Sequence, residues 1–141
     1  MIAPCGLDCA LCSGAHKKER PCLGCNGPDE GKADFCLNRC AIIQCPVRIE
    51  KGYRFCDQCP EYPCGEIMER ETRYQSQYVL KESPVQNLRD IAQYGMKRFL
   101  ASQKEKWSCP DCGGVVSVHN GVCSGCGRGM LPQSIRDPQA E

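Results

Sequence analysis

The sequence predicts a small, irregular α+β fold stabilised by metal ions, with a cysteine-rich N-terminal module, a helical middle segment and a C-terminal pair of cysteine knuckles. Three observations predict it. Fifteen of the 141 residues are Cys, a density found in secreted disulfide scaffolds and in metal-dense proteins. Leu, Ile, Val and Phe together number only 25, below the roughly one-fifth expected of a chain that folds on apolar burial alone. The cysteines also fall in Cys-x-x-Cys pairs, at 9/12, 22/25, 56/59, 109/112 and 123/126. That gap suits two thiolates gripping one ion.

Disulfides are the competing explanation, and the sequence argues against them. An odd cysteine count leaves one thiol over. The opening MIAPCGLDC has neither a charged nor an apolar signal region, so the expectation is a cytoplasmic protein with reduced thiols. Net charge is +1, from 18 basic and 17 acidic residues. Residues 1–65 hold eight of each sign, so no domain-wide basic field draws in nucleic acid. The run from His16 to Arg20 reads as a solvated loop. No stretch has the length and apolarity of a membrane span.

Composition divides the chain into a cysteine-rich metal-binding module at 1–65, a cysteine-free helical connector at 66–107, a knuckle-bearing segment at 108–130 and a polar tail at 131–141. A short charged helix opens at Glu66, after Gly65. Ser83-Pro84 starts another, with Ser as N-cap and Pro at the first helical position. Val85, Leu88, Ile91 and Ala92 then make a helical stripe. Gly95 interrupts it as a C-cap or close packing point, and the pattern resumes at Met96, Phe99 and Leu100 before fading by Lys104–Lys106. Upstream, the run from Ala41 to Ile49 gives a turn or two of helix around Cys45, with Pro46 tolerated only in a first turn. The connector is expected to pack across both cysteine-rich segments and join them.

The C-terminal motifs are the most specific. CPDCGG at 109–114 and CSGCG at 123–127 flank Val115, Val116 and Val118, an expected strand, and His119-Asn120-Gly121, an expected turn. Each Cys-x-x-Cys-Gly forms a tight knuckle in which Gly accepts a positive φ. Cys109, Cys112, Cys123 and Cys126 therefore make a zinc ribbon, closed and structural because four thiolates leave no open position. Iron in a rubredoxin-like site is the minority option.

Eleven candidate ligands remain: Cys5, Cys9 and Cys12; Cys22 and Cys25; Cys36, Cys40 and Cys45; Cys56, Cys59 and Cys64. His16 is a candidate twelfth or simply a loop residue. Spacing does not say which share an ion. For zinc, Cys22-Leu-Gly-Cys25-Asn-Gly looks like a knuckle and a ribbon lies downstream. For a [4Fe–4S] cluster, thiolate-only ligation, Cys45-Pro46 and Cys59-Pro60 match cluster-binding runs. Zinc is favoured, with the cluster kept open. CGLDCALC at 5–12 has the Cys-x3-Cys-x2-Cys spacing of radical enzymes that use S-adenosylmethionine. No strand–helix alternation follows to build their barrel, so that activity is set aside.

The succession CGLDCALC, CLGC, CLNRCAIIQC and CDQCPEYPCGEI resembles a family of small cysteine-rich proteins catalogued as domain of unknown function 3795. The resemblance covers about residues 2–70. SPVQNLRDIAQYGMKRFLASQKEKWSCPDCGG is similar to the extension some members carry before a zinc ribbon. The resemblance implies metal binding by the eleven N-terminal cysteines and implies no activity.

Function follows by elimination. With two histidines, no phosphate-binding Gly-rich loop and saturated ligand sets, no catalytic constellation, cofactor site or small-molecule substrate is evident. The leading expectation is a non-catalytic, mainly zinc-binding adaptor or assembly factor whose partner is another protein. The alternatives are an iron–sulfur protein for electron transfer or cluster delivery, a nucleic-acid-associated ribbon protein using Trp107, Tyr53 and Phe55, and a thiol redox or metal sensor built on surplus cysteines.

Overall fold

The structure is a computed structural model that describes residues 1–78 and 80–129. Met130 and the polar tail at 131–141 lie outside the described residues. Residues 1–64 are mostly turns. Short 3₁₀ segments at Cys9–Leu11, Ser13–His16 and Cys56–Gln58 and one π-helical turn at Phe35–Arg39 carry the chain between cysteines. The segment holds one α-helix, α1 (Pro46–Lys51), which starts just after Cys45 rather than around it. Pro46 occupies its first turn, where a missing N–H costs nothing. Gly52 ends it in the left-handed conformation, φ 70°.

Three helices follow: α2 (Gly65–Ser76), α3 (Pro84–Tyr94) and α4 (Met96–Trp107). The second packs on the third and the third on the fourth. The Ser83 hydroxyl accepts from the Gln86 N–H at 3.0 Å, as its sequence position predicts. Its own proton goes to Glu71 of α2 at 2.7 Å, and the other Glu71 oxygen accepts from the Val85 N–H at 3.1 Å. One acidic side chain thus caps a neighbouring helix where the dipole favours it. Gly95, at φ 88°, breaks the α3–α4 run.

Burial divides into two clusters. The first gathers Ala3, Cys5, Cys9, Cys40, Ile42 and Ile67; the second gathers Leu11, Tyr74, Leu80, Trp107, Cys109, Val116, Val118 and Cys123. Ile67 and Tyr74, seven residues apart on one face of α2, each enter a different cluster. That helix is therefore the beam between the N-terminal turns and the C-terminal knuckles. At the junction with α3, a Cβ on Gly6 (φ +100°) would fall 2.6 Å from the Pro84 carbonyl oxygen, so only glycine fits there.

The expected strand at Val115–Val118 is reduced to isolated antiparallel bridges, Ser108↔Val115, Val116↔Cys123 and Val122↔Gly129. The reason is where the backbone bonds go. Ser117 N–H pairs with Val122, but Val118 N–H turns away to the Leu11 carbonyl at 2.9 Å, docking the hairpin on the N-terminal module.

His119 completes that docking. Its Nδ1 accepts from the Ser13 N–H at 3.1 Å, so Nε2 carries the proton and donates to Tyr74 Oη at 2.9 Å. Its ring meets Tyr78 edge-on, with centroids 4.8 Å apart. Burial first, then the Arg70 charge, hold His119 below its ordinary value of 6.5. A lowered histidine contributes stability that is fully present above the unfolded pKa, about 6.5, and is lost as pH falls below it. His119→Phe keeps the ring and loses both hydrogen bonds, an expected cost of about 1–2 kcal/mol at pH 7.5. Denaturant titrations of both proteins should show that gap narrowing below pH 6.5; a gap independent of pH would contradict the assignment.

Candidate metal centres

The C-terminal centre is built from two near-identical turns. Gly113 N–H bonds the Cys109 carbonyl at 2.9 Å, and Gly127 N–H bonds the Cys123 carbonyl at 3.0 Å. Both glycines have positive φ, 75° and 76°. In each knuckle an amide two residues on donates to a sulfur: Gly114 to Cys112 and Gly125 to Cys123, each at 3.3 Å. The Sγ atoms of Cys109, Cys112, Cys123 and Cys126 all lie within 4.8 Å of one another. Cys109–Cys126 is 3.8 Å and Cys112–Cys123 is 3.4 Å. A tetrahedral ion with metal–sulfur bonds of about 2.3 Å spaces its sulfurs at about 3.8 Å, so the quartet suits a single metal ion.

Packing around those sulfurs is close. A Cβ on Gly114 would meet Cys123 Sγ at 2.9 Å. Cys109 and Cys123 are buried and Cys112 and Cys126 exposed. The Cys126 backbone N–H, helped by that of Gly125, outweighs burial and holds the Cys123 thiol down to about 6. The lowered value favours the thiolate, the form that ligates metal.

The N-terminal cysteines are arranged differently. Seven of the eleven, Cys5, Cys9, Cys12, Cys22, Cys25, Cys36 and Cys40, line one cavity of about 700 Å³. Arg70, Arg73 and Tyr74 of α2, Tyr78 beyond its end and His119 of the hairpin turn line it as well. Among the described residues, the C-terminal quartet is the one group of three or more such ligands with all donor atoms within 4.8 Å. The seven cavity thiols therefore ring a space instead of closing on a point.

Contacts among them are specific. The Cys25 N–H donates to Cys9 Sγ at 3.4 Å, and Arg70 Nη2 donates to Cys40 Sγ at 3.2 Å. Hydrogen bonding from Cys25 brings the Cys9 thiol down to about 7. Burial pushes Cys5 up to about 11 and raises Cys12 and Cys36. Buried thiols without a countercharge resist ionisation, and a cation among them reverses that preference.

The other four, Cys45, Cys56, Cys59 and Cys64, do not line the cavity. Cys56 joins this group to the module through its N–H, bonded to the Pro4 carbonyl at 2.9 Å. Burial, then the charges of Cys5, Cys64 and Cys45, push Cys56 up to about 12. His16 donates to the Ala10 carbonyl and is exposed, and it does not line the cavity.

Sequence reasoning missed the arginine wall. Arg70, Arg73, Tyr74 and Gln77 all line the cavity, spaced i, i+3, i+4 and i+7. That spacing marks one helical face, and it is legible once polar residues are allowed to be a facing set. Phe35 anchors the same wall, with the Arg70 and Arg73 guanidiniums 5.7 Å and 5.5 Å from its ring centre.

Among the described residues no helix is long and apolar enough to cross a membrane. No curated protein and no solved structure matches the chain. Residues 1–69, which carry all eleven N-terminal cysteines and end inside α2, match the model of a family described as Protein of unknown function (DUF3795).

Proposed function

We propose that this is a metal–thiolate accessory protein, in which a zinc ion held by Cys109, Cys112, Cys123 and Cys126 closes a structural ribbon and the N-terminal cysteines hold further metal. Its role is non-catalytic: metal fixes a small body that acts through another protein. The convergence of four sulfurs within 4.8 Å carries the reading. Four thiolates fill a tetrahedral shell and leave no position for substrate, so an ion there stabilises and does not catalyse. Zinc fits because all four donors are thiolates and lie within reach of one ion.

Metal analysis of the purified chain and of Cys112→Ser tests the proposal. The substitution should remove one zinc equivalent and leave the metal of residues 1–65 in place. Unchanged zinc in the variant would contradict a ribbon site. A wild-type protein without metal on residues 1–65 would contradict the wider reading.

A further inference from the structure

The seven-cysteine cavity differs from the C-terminal quartet in ways that identify its occupant. We infer that the seven-cysteine cavity is an iron–sulfur site, taking a [4Fe–4S] cluster on four of its thiolates, and that Arg70 is the residue that tunes it. The inference rests on the proposed metal-binding role of residues 1–65.

Two observations carry it. A single tetrahedral ion needs no cavity, because its four sulfurs touch it and lie about 3.8 Å apart. In the C-terminal quartet that convergence is present, whereas no three of the cavity thiols achieve it within 4.8 Å. Two ions sharing a thiolate would demand the same convergence twice. A cluster spreads its ligands over the corners of a cube, so each cysteine binds its own iron and the thiolates stand apart around inorganic sulfide. The space of about 700 Å³ fits a polynuclear group, and its soft thiolate lining suits iron with sulfide.

The second observation is Arg70. Its half-buried guanidinium stands 5.7 Å from the Phe35 ring centre and donates to Cys40 Sγ at 3.2 Å. A fixed N–H···S bond from a cation is one of the protein's means of setting a cluster's potential. Reduction adds negative charge to the cluster, so a neighbouring guanidinium favours the reduced state and raises the potential. Arg70 is a positioning and tuning residue and ligates nothing.

Anaerobically purified protein, assayed for iron, acid-labile sulfide and zinc alongside its visible and electron paramagnetic resonance spectra, tests the inference. The expected result is about four iron and four sulfide per chain beside the ribbon zinc, with a broad visible band bleached by dithionite. Zinc on residues 1–65 without iron or sulfide would overturn the inference and leave the metal-binding proposal standing. Apo residues 1–65 would overturn both. Cys9→Ser, Cys12→Ser, Cys36→Ser and Cys40→Ser combined leave only three cavity thiols, so the band should vanish and the ribbon zinc remain; iron and band retained at full yield would place the cluster elsewhere. Should that variant fail to fold, Arg70→Leu decides. Its cluster should titrate at a more negative potential than the wild type, a shift that lost packing alone does not produce. An unchanged potential would overturn the role of Arg70.

Discussion

Removing metal with a chelator is expected to unfold residues 1–65. The buried side chains of the N-terminal cluster are Ala3, Cys5, Cys9, Cys40, Ile42 and Ile67. The large aliphatic side chains buried in this region are few, Ile2, Leu11 and Ile42 with Ile67 of α2, each worth on the order of 2–3 kcal/mol. Against them stands about 1 kcal/mol of backbone entropy for every residue fixed in a turn. Regular structure adds little, since α1 is six residues long and the rest of the segment is turns and 3₁₀ pieces. A structural metal site supplies about 10–16 kcal/mol at pH 7, comparable with the whole net stability of an ordinary domain. Loss of amide dispersion across residues 1–65 in a ¹H–¹⁵N spectrum is the expected result. A spectrum that stays dispersed with metal removed would show that apolar packing alone holds the module.

Acid should act in the same direction. Burial pushes Cys5 up to about 11 and Cys56 up to about 12 in the folded module, and an unfolded thiol titrates at about 8.5, so from either state each must release a proton when it binds. Protons and metal compete, and affinity falls as pH falls. The chelator concentration that half-unfolds the module should therefore be lower at pH 6 than at pH 8. A midpoint independent of pH would mean that thiolates are not the ligands.

How much of this was legible in the sequence depends on the range of the interaction. The Ser83 cap, the Gly95 break and the paired positive-φ glycines at 113 and 127 are local, and each is written in one or two residues. The start of α1 follows from Pro46 alone. The full length of α2 is harder to read, because Ile67 and Tyr74 are its only buried side chains and much of its facing set is polar. Which thiols share a cavity is a long-range fact: Cys5 and Cys40 line the same space although they stand 35 positions apart in the chain, and no spacing rule reaches that far. The strand between the knuckles was read from three valines. The Leu11 carbonyl drew one of their amides away, and sequence pattern does not record such a competitor.

Nothing in the sequence flags Glu82, yet its replacement should cost more than any other single change outside the cysteines. It is 2% exposed, in the connection between α2 and α3. One carboxylate oxygen accepts from the Trp107 indole N–H at the end of α4, and the other accepts from Asn87 Nδ2 of α3 at 2.9 Å. Its backbone carbonyl accepts from Gln75 Nε2 of α2 at 2.6 Å. Asn87 passes the connection on to the Gly6 carbonyl at 3.0 Å, between Cys5 and Cys9. Lys106 stands 3.6 Å from the same carboxylate and is half-exposed, so it adds little. Glu82→Ala strands the buried Trp107 indole N–H and leaves Asn87 Nδ2 with only the Gly6 carbonyl, which places the expected loss at about 3–5 kcal/mol. Glu82→Gln keeps the shape but turns one acceptor into a donor that must face either Trp107 or Asn87. Its loss should be about half as large. Trp107 is the one tryptophan in the chain, so its fluorescence reports the unfolding of this junction directly. The ribbon metal should stay bound in both variants, because no quartet sulfur touches Glu82. A loss below about 1 kcal/mol in Glu82→Ala would mean that water replaces the carboxylate and that the three helices do not depend on this junction.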